Sequence, residues 1–347
     1  MSKKNKLNYY PWKIKIEEFP KNSTINEQIK FMLGFGVLAP SGHNSQPWKF
    51  QIEDNSLNIF VVPERALPAS DPSGQQLCIG VGCLVENFCI AANYYGFVAT
   101  VKFLGDILGK SPIVSITVEK SINTHNDDEV LINFITQRVS NRNKYQEKAL
   151  PDNFIKKLQK LSTEQVKIFV TSEPNVNKKI IALVIEAQIR IMENTKFRQE
   201  LSELMKPNFT SDKIGMPGFA FGLPLPISML SSTMVKHINM SKLNKKTDKV
   251  ILKNTPSFIV IATLKDNNLS RFEAGRIFEK VWLMAVSEGL SCSPNAAPIA
   301  DKNYSKQLQL LINQDFIPQI FSRIGFANKT ARHTPRLNVN DLTMVNT

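Results

Sequence analysis

Three short segments carry side chains whose types and spacing suit the binding of a flat, polar or anionic ligand. The first spans residues 39–48 and reads APSGHNSQPW. Its amide and hydroxyl side chains both donate and accept hydrogen bonds, its prolines restrict the backbone, and its glycine allows close approach. Such a turn suits a heteroaromatic ring, although a polar loop that satisfies its own backbone has the same composition. The candidate residues are Pro40, Ser41, Gly42, Asn44 and Gln46.

The second and third segments supply arginine. Residues 137–142 read QRVSNR, and residues 332–336 near the C-terminus read RHTPR. The planar arginine fork pairs with two phosphate oxygens at once and stays charged. Basic residues at a helix end or in a tail are also commonly just solvated. The candidate residues are Arg138, Ser140, Arg142, Arg332 and Arg336.

The composition is that of a folded protein. The 347 residues are 42% hydrophobic and 21% charged, which excludes a disordered, collagenous or coiled-coil chain. This length fits two domains, or two fused copies of one. Four cysteines without a CxxC pair, together with four histidines, argue against a disulfide scaffold and against a metal site.

The chain is basic, with 43 Lys and Arg against 30 Asp and Glu, which gives a formal charge of +13. Such an excess points to a polyanion, an anionic membrane or a phosphorylated ligand. The lysines are dispersed, and no stripe of basic and aromatic residues is present, so nucleic-acid binding is disfavoured. The charge fits a generic basic surface, part of which binds a phosphate group.

Hydrophobic periodicity predicts alternating helices and strands in both parts of the chain. Helices are expected over residues 26–38, 75–95, 151–161, 178–205 and 272–288. Strands are expected over residues 48–52, 57–62, 98–104, 113–119, 166–170, 257–264 and 320–326. The helix over 75–95 is nearly uncharged, so it should be buried on most sides, and its cysteines act as small apolar residues.

An internal repeat is visible at one offset. Three residues of the helix over 75–95 and the glycine after it recur 193 positions later, in the helix over 272–288 and the glycine after that helix: Gly82, Glu86, Ala92 and Gly96 correspond to Gly275, Glu279, Ala285 and Gly289. The similar sets of elements indicate a duplicated α+β unit. We expect a first half over residues 1–130 and a second half over 131–347.

One apolar stretch requires an explanation. Residues 214–235 carry no charge and are long enough to span a bilayer. They contain three prolines and three glycines, which break the helical hydrogen bonding that lipid demands. The sequence predicts a flexible apolar lid over about residues 207–240, and no membrane span.

The three segments together resemble the nitroreductase family. Residues 39–48 match its helix–P-S-x-x-N-x-Q-P-W–strand signature, residues 138–142 match its R-x-S-x-R motif, and Arg332 and Arg336 match its terminal basic pair. The resemblance implies FMN as the cofactor. It implies ring and ribityl contacts from the first segment and phosphate and ribityl contacts from Arg138 and Ser140. It places Arg142 near the pyrimidine edge and Arg336 on the phosphate, with residues 295–299 near the N5 edge.

The distribution of the motifs resembles the Acg-like branch, whose members are single-chain pseudo-dimers. The first half has the P-S-x-x-N-x-Q-P-W turn without an R-x-S start, and the second half has the reverse. The resemblance therefore implies one complete site per chain. It also implies a nitroreductase-like α+β fold of two fused, diverged copies, each with a central antiparallel sheet flanked by helices, plus the lid and a C-terminal arm.

Two functions are compatible with this resemblance. In the first, the protein passes electrons from NAD(P)H through FMN to a nitroaromatic or quinone-type acceptor, and no protein acid or base is required. In the second, it sequesters FMN and turns over little or not at all, because the lid covers the flavin. In both, the protein is a cytoplasmic, monomeric pseudo-dimer, and His43 has no catalytic role.

Overall fold

The computed structural model of the chain describes residues 7–121, 130–239, 249–313 and 315–344. It has an α+β architecture, as expected. The helices of eight or more residues are α1 (Ile25–Gly36), α2 (Gln75–Tyr94), α3 (Asp152–Lys160), α4 (Pro174–Glu193), α5 (Thr195–Leu204), α6 (Leu225–His237), α7 (Asn268–Ser287) and α8 (Lys302–Ile312). The strands of four or more residues are β1 (Trp48–Glu53), β2 (Ser56–Val61), β3 (Phe97–Phe103), β4 (Val114–Lys120), β5 (Val166–Thr171), β6 (Ser257–Thr263), β7 (Ser291–Pro294) and β8 (Ile317–Gly325).

These strands form two four-stranded antiparallel sheets. The first has the order β1-β2-β4-β3 and uses residues 48–120 alone, and the second has the order β5-β6-β8-β7 and uses residues 166–325. Along β2 every second residue is buried, as in a sheet with one face on the core. By contrast, β6 is buried along its whole length. Each half therefore contributes its own sheet, and the boundary near residue 130 stays a prediction.

The halves meet where α2 crosses α7. A Cβ atom added to Gly82 would lie 2.1 Å from the Phe272 carbonyl oxygen, and one added to Gly275 would lie 2.2 Å from the Ile79 carbonyl oxygen. The two helix backbones can therefore touch only because both positions are glycine. The repeated glycines found at the 193-residue offset thus pack against each other's helix.

The same helix α2 is the one candidate membrane span among the described residues, by length and composition. In its most apolar 18-residue window, 83% of the residues are buried inside the protein. It packs under the first sheet and against α7. It is a core helix, as its lack of charge predicts.

Two elements differ from the sequence-based expectation. The helix expected over 178–205 is two helices, because the Asn194 side chain accepts hydrogen bonds from the Lys196 and Phe197 amides, at 2.9 and 3.3 Å, and starts α5 anew. The lid was expected to be a flexible loop, but residues 225–237 form α6. Pro224 and Pro226 stand at the start of this helix, where proline is tolerated, so they begin a helix instead of breaking one.

The lid is anchored at its root by a short parallel pairing of Met205–Lys206 with Met216–Pro217. Its described part is residues 207–239, and Met240 lies outside the described residues. Two further elements, β7 and α8, were not predicted from the sequence; α8 begins at the side chain of Asp301.

Candidate ligand-binding site

A cavity of about 970 Å³ lies between the two halves and under the lid. This is near the upper end of the range of roughly 300–1,000 Å³ that small-molecule sites occupy. One part of the lining is a polar wall, and another part is formed by apolar side chains of α4, α5 and the lid. Five of the ten predicted site residues line the cavity: Pro40, Ser41, Gly42, Ser140 and Arg142.

The polar wall joins the first two predicted segments. Ser140 pairs with Cys292 of β7 in an isolated parallel bridge, and the Asn141 amide donates to the Cys292 carbonyl at 2.9 Å. This pairing holds Ser140 and Arg142 at the edge of the second sheet, facing the turn after α1. The end of β7, Ser293 and Pro294, also lines the cavity, and so do the residues after it, Asn295 to Ala297, which belong to the segment 295–299 that the resemblance places near the ligand.

The turn after α1 has an unusual backbone. His43, Asn44 and Gln46 have φ angles of +45°, +57° and +48°, in the left-handed region that non-glycine residues rarely adopt. The turn is held by a hydrogen bond from the Gln46 amide to Ser41 Oγ at 3.0 Å. Strained backbone of this kind is over-represented at functional sites.

Asn44 and Gln46 do not line the cavity; they hold other segments in place. Asn44 Nδ2 donates to the Gly215 and Pro335 carbonyls, at 2.9 and 3.0 Å. Gln46 Nε2 donates to the Lys213 carbonyl at 2.7 Å, and its Oε1 accepts from the Leu337 amide at 2.9 Å. The two amides therefore tie the root of the lid and the C-terminal arm to the first half.

Arg138 and Arg336 also lie outside the cavity wall, and both are buried. Arg138 Nε lies 3.0 Å from Glu279 Oε1, and its guanidinium lies 4.6 Å from the Trp282 ring centroid. Arg336 donates to Asn44 Oδ1 and, at 3.2 Å, to the Leu38 carbonyl, which also accepts from Arg138. The R-x-S segment and the C-terminal arm thus meet at the end of α1, but their arginines are engaged with protein groups.

Arg332 is exposed and does not line the cavity. Its guanidinium lies 4.0 Å from the Phe219 ring centroid in the lid. It is a lid contact, and its phosphate contact stays a prediction.

Arg142 is the predicted arginine that faces the cavity. Its Nη1 donates to the Ala220 carbonyl at 3.3 Å, and its guanidinium lies 5.4 Å from the Phe221 ring centroid, both in the lid. Burial, and the positive charge of Arg323, lower the pKa of Arg142. Among the described residues no carboxylate forms an ion pair with it. A partly buried cation without an acidic partner favours an anionic or electron-rich ligand.

His43 lines the cavity as well. Its Nδ1 is buried and makes no hydrogen bond within the described part of the chain, and its ring lies 5.8 Å from that of Phe197 on α5. Burial lowers the pKa of His43 to about 4, so the imidazole is neutral at physiological pH. A neutral imidazole here can donate or accept one hydrogen bond without carrying charge.

Arg323 is a cavity residue that the pattern analysis missed. It lies on β8 and donates to the Asn141 carbonyl at 3.3 Å. Its signal in the sequence is a lone charge inside the apolar run 320–326. The cysteines behave as expected, because burial raises the pKa of Cys78 and of Cys89 to about 12 and so keeps both thiols protonated.

No family model matches the chain. It is 22% identical over 324 residues to the Mycobacterium tuberculosis protein Rv3131, named a putative NAD(P)H nitroreductase, and the match covers 92% of this chain and 91% of that one. Over 83 residues, 24% of this chain and 25% of that one, it is 34% identical to the M. tuberculosis protein acg, which carries the same description.

The fold is similar to that of a putative nitroreductase from Anabaena variabilis ATCC 29413, with a TM-score of 0.52 and 10% identity over 91% of this chain and 92% of that one. The chain therefore has a nitroreductase-like fold along nearly its whole length. The resemblance to the nitroreductase family, in its Acg-like branch, is confirmed by the M. tuberculosis relatives.

Proposed function

We propose that this chain is a cytoplasmic, FMN-dependent NAD(P)H oxidoreductase that reduces small aromatic acceptors such as nitroaromatics or quinones. The observation that carries the proposal is the polar wall. Ser41 and Gly42 of one half and Ser140 and Arg142 of the other line a single cavity together. In the nitroreductase resemblance these positions contact the flavin, and the relatives are named as NAD(P)H nitroreductases.

The residues present fit FMN. The cavity has space for a cofactor and a second ligand, and its polar wall offers hydroxyl donors and acceptors. Arg142 has no acidic partner among the described residues. Because a charge removed from water is costly unless it is paired, a negative charge on a ligand would stabilise this side chain. When bound, FMN supplies the redox chemistry, since it accepts a hydride from NAD(P)H and passes electrons on.

The chain's own residues bind and orient. We propose that Ser41 and Ser140 hold the polar edge of the ring and the ribityl chain, and that Arg142 stabilises negative charge at the N1–C2 carbonyl edge. The lid excludes water above this wall. Four residues lie behind the cavity lining and hold the turn, the lid and the C-terminal arm in place: Asn44, Gln46, Arg138 and Arg336. The phosphate contacts of Arg138, Arg332 and Arg336 remain proposals.

The proposal is tested by purifying the protein with FMN, recording its visible spectrum, and adding NADPH without oxygen. We expect the flavin absorbance to bleach in the parent and to return when a quinone is added. Arg142→Met should slow the bleaching by at least about tenfold, because it removes one charge-stabilising group. The matched control is Arg190→Met, since Arg190 is exposed on α4 and away from the cavity.

Retention of FMN without bleaching would overturn the reductase proposal in favour of FMN storage. The names of the relatives favour the reductase. Equal bleaching rates in Arg142→Met and the parent would remove Arg142 from the flavin site.

A further inference from the structure

The apolar part of the cavity, under the lid, is rich in methionine side chains. Four methionines from four different segments face it: Met192, Met205, Met216 and Met234. Met205 and Met216 pack with Phe197 and Leu201 in a small apolar cluster that is separate from the two larger apolar clusters of the protein. We call this region the methionine chamber. Methionine is flexible and polarisable, and it lines surfaces that adapt to apolar ligands of variable shape.

The chamber is continuous with the polar wall. Phe221 lines the cavity and lies over the Arg142 guanidinium, and Phe197 lies against His43, so lid and α5 side chains contact polar-wall side chains directly. A molecule that meets Arg142 with a polar group therefore extends into apolar surroundings on its other side.

An amide side chain of α4 also lines this region. Gln188 on α4 lines the cavity, and its Oε1 is buried without a hydrogen bond among the described residues. An unpartnered buried polar atom costs stability unless a ligand or water satisfies it. A wholly apolar ligand would leave this atom unsatisfied, which favours a ligand that also carries a polar group.

We propose that the methionine chamber binds the flexible hydrocarbon chain of an amphiphilic ligand whose planar polar head lies at the polar wall, beside the space that FMN takes up when it is bound. The identification of that ligand as the electron acceptor rests on the proposed function; the binding itself does not. A ligand of this class matches the polar end, the adaptable apolar region and the unpartnered Gln188 oxygen within one cavity.

The test compares two benzoquinones with the same 2,3-dimethoxy-5-methyl head, one with a decyl chain at the 6-position and one without. Binding to the FMN-loaded protein, without NADPH, is measured by ultrafiltration and quinone absorbance. We expect the decyl compound to bind at least about tenfold more tightly, because each methylene buried in the chamber adds to the affinity.

Two variants of the lid helix locate the chain. Met234→Trp fills the chamber and should reduce the affinity for the decyl quinone about tenfold, with the affinity for the short quinone unchanged. Met229→Trp is the matched control, because Met229 is on the same helix and 58% exposed. Ile227→Trp, a partly exposed residue that also lines the cavity, repeats the test if Met234→Trp does not fold.

Equal affinities for the two quinones in the parent, or equal losses in Met234→Trp and Met229→Trp, would overturn the inference. Chain-dependent binding without NADPH bleaching would overturn the proposed function and leave this inference standing. Bleaching by NADPH without chain-dependent binding would overturn this inference and leave the proposed function standing.

Discussion

The arginines that carry the sequence resemblance have different surroundings in the structure. Arg142 faces the cavity without an acidic partner among the described residues, whereas Arg138 is buried against Glu279 and Trp282. Both residues belong to one six-residue segment. Arg138 lies directly after the helical turn Ile132–Ile135, and its amide donates to the Phe134 carbonyl at 3.0 Å, whereas Arg142 lies beyond the bridge at Ser140.

We predict that Arg138→Ala lowers the free energy of unfolding by about 3 kcal/mol, because it leaves the fully buried Glu279 without its closest cation. Urea unfolding measures the change. The control is Arg276→Ala, whose partner Glu86 is also 3.0 Å away but whose side chain is partly exposed, so we expect a loss of about 1 kcal/mol or less. Equal losses would contradict a structural role for the Arg138 pair. If Arg138 instead contacted only a phosphate, as the sequence resemblance implies, Arg138→Ala would leave the free energy of unfolding almost unchanged.

His43 gives the fold an acid sensitivity. The pKa of His43 is about 4 in the folded protein against an ordinary value of 6.5, so between these pH values the unfolded chain binds the extra proton. Stability from this residue is therefore present above pH 6.5 and is lost as the pH falls towards 4.

We predict that His43→Asn removes about 2 kcal/mol of the stability difference between pH 7.5 and pH 5.0. Asparagine tolerates the left-handed backbone and does not titrate. Urea unfolding at both pH values provides the measurement, and His237→Asn, at an exposed position on α6, is the control. An unchanged pH dependence in His43→Asn would show that His43 is solvated in the folded state.

At the scale of elements, two features build the site. The crossing of α2 and α7 fixes how the halves face each other, and the lid closes the cavity that results. The lid is tied down by Asn44 and Gln46, so the turn after α1 positions both the polar wall and its cover.

We predict that Gly82→Ala destabilises the protein by about 1–3 kcal/mol or more, because the new Cβ would meet the Phe272 carbonyl oxygen at 2.1 Å and the helices would have to separate. Thermal or urea unfolding gives the magnitude. In Gly34→Ala, the added atom meets only the flexible end of the Ile14 side chain, so we expect a change within about 1 kcal/mol. A neutral Gly82→Ala would mean that the helices do not touch at this point.

We predict that Phe221→Ala opens the lid side of the cavity and raises the quenching of bound-flavin fluorescence by iodide several-fold. Phe221 lines the cavity over Arg142 and is 38% exposed. Phe209 is also in the lid and 46% exposed, but it does not line the cavity, so Phe209→Ala should leave the Stern–Volmer constant unchanged. The same quenching in both variants would argue that Phe221 does not shield the flavin.

At the scale of the whole molecule, one polypeptide supplies parts from both halves to one site. The C-terminal arm of the second half packs on the start of the first: the Arg336 amide donates to the Asn8 carbonyl at 2.8 Å, and His333 stacks on Trp12 at 4.1 Å. The repeat supplies the scaffold twice, and the polar wall uses the turn of one copy with the R-x-S segment of the other.

We predict one FMN per chain at saturation, since the first half lacks an R-x-S start and the second half lacks the P-S-x-x-N-x-Q-P-W turn. Flavin released by heat and measured against protein concentration should approach a ratio of one. A ratio near two would overturn the single-site account. Size exclusion of the same sample should give the mass of a single chain, as a monomeric pseudo-dimer requires.

The sequence by itself determined the elements and the sheets' apolar faces, because strand and helix periods are local properties of residues such as Val166–Thr171 and Gln75–Tyr94. It also located the polar wall, since Ser41, Ser140 and Arg142 lie within recognisable motifs. The break at Asn194 and the helix in the lid were missed, because capping by one side chain and proline at a helix start look like ordinary interruptions in a pattern.

Only the tertiary structure decided which motif residues face the ligand and which face the protein. Four motif residues carry donors and acceptors that suit a ligand, but in the folded chain these groups contact the protein. Arg138 pairs with Glu279, Arg336 donates to Asn44, and Asn44 and Gln46 donate to the root of the lid. These partners lie 141 or more residues away along the chain, and the identity of the nearest group is set by how the halves pack. A motif fixes the chemistry that a side chain can do, and the packing around it fixes the group to which that chemistry is applied.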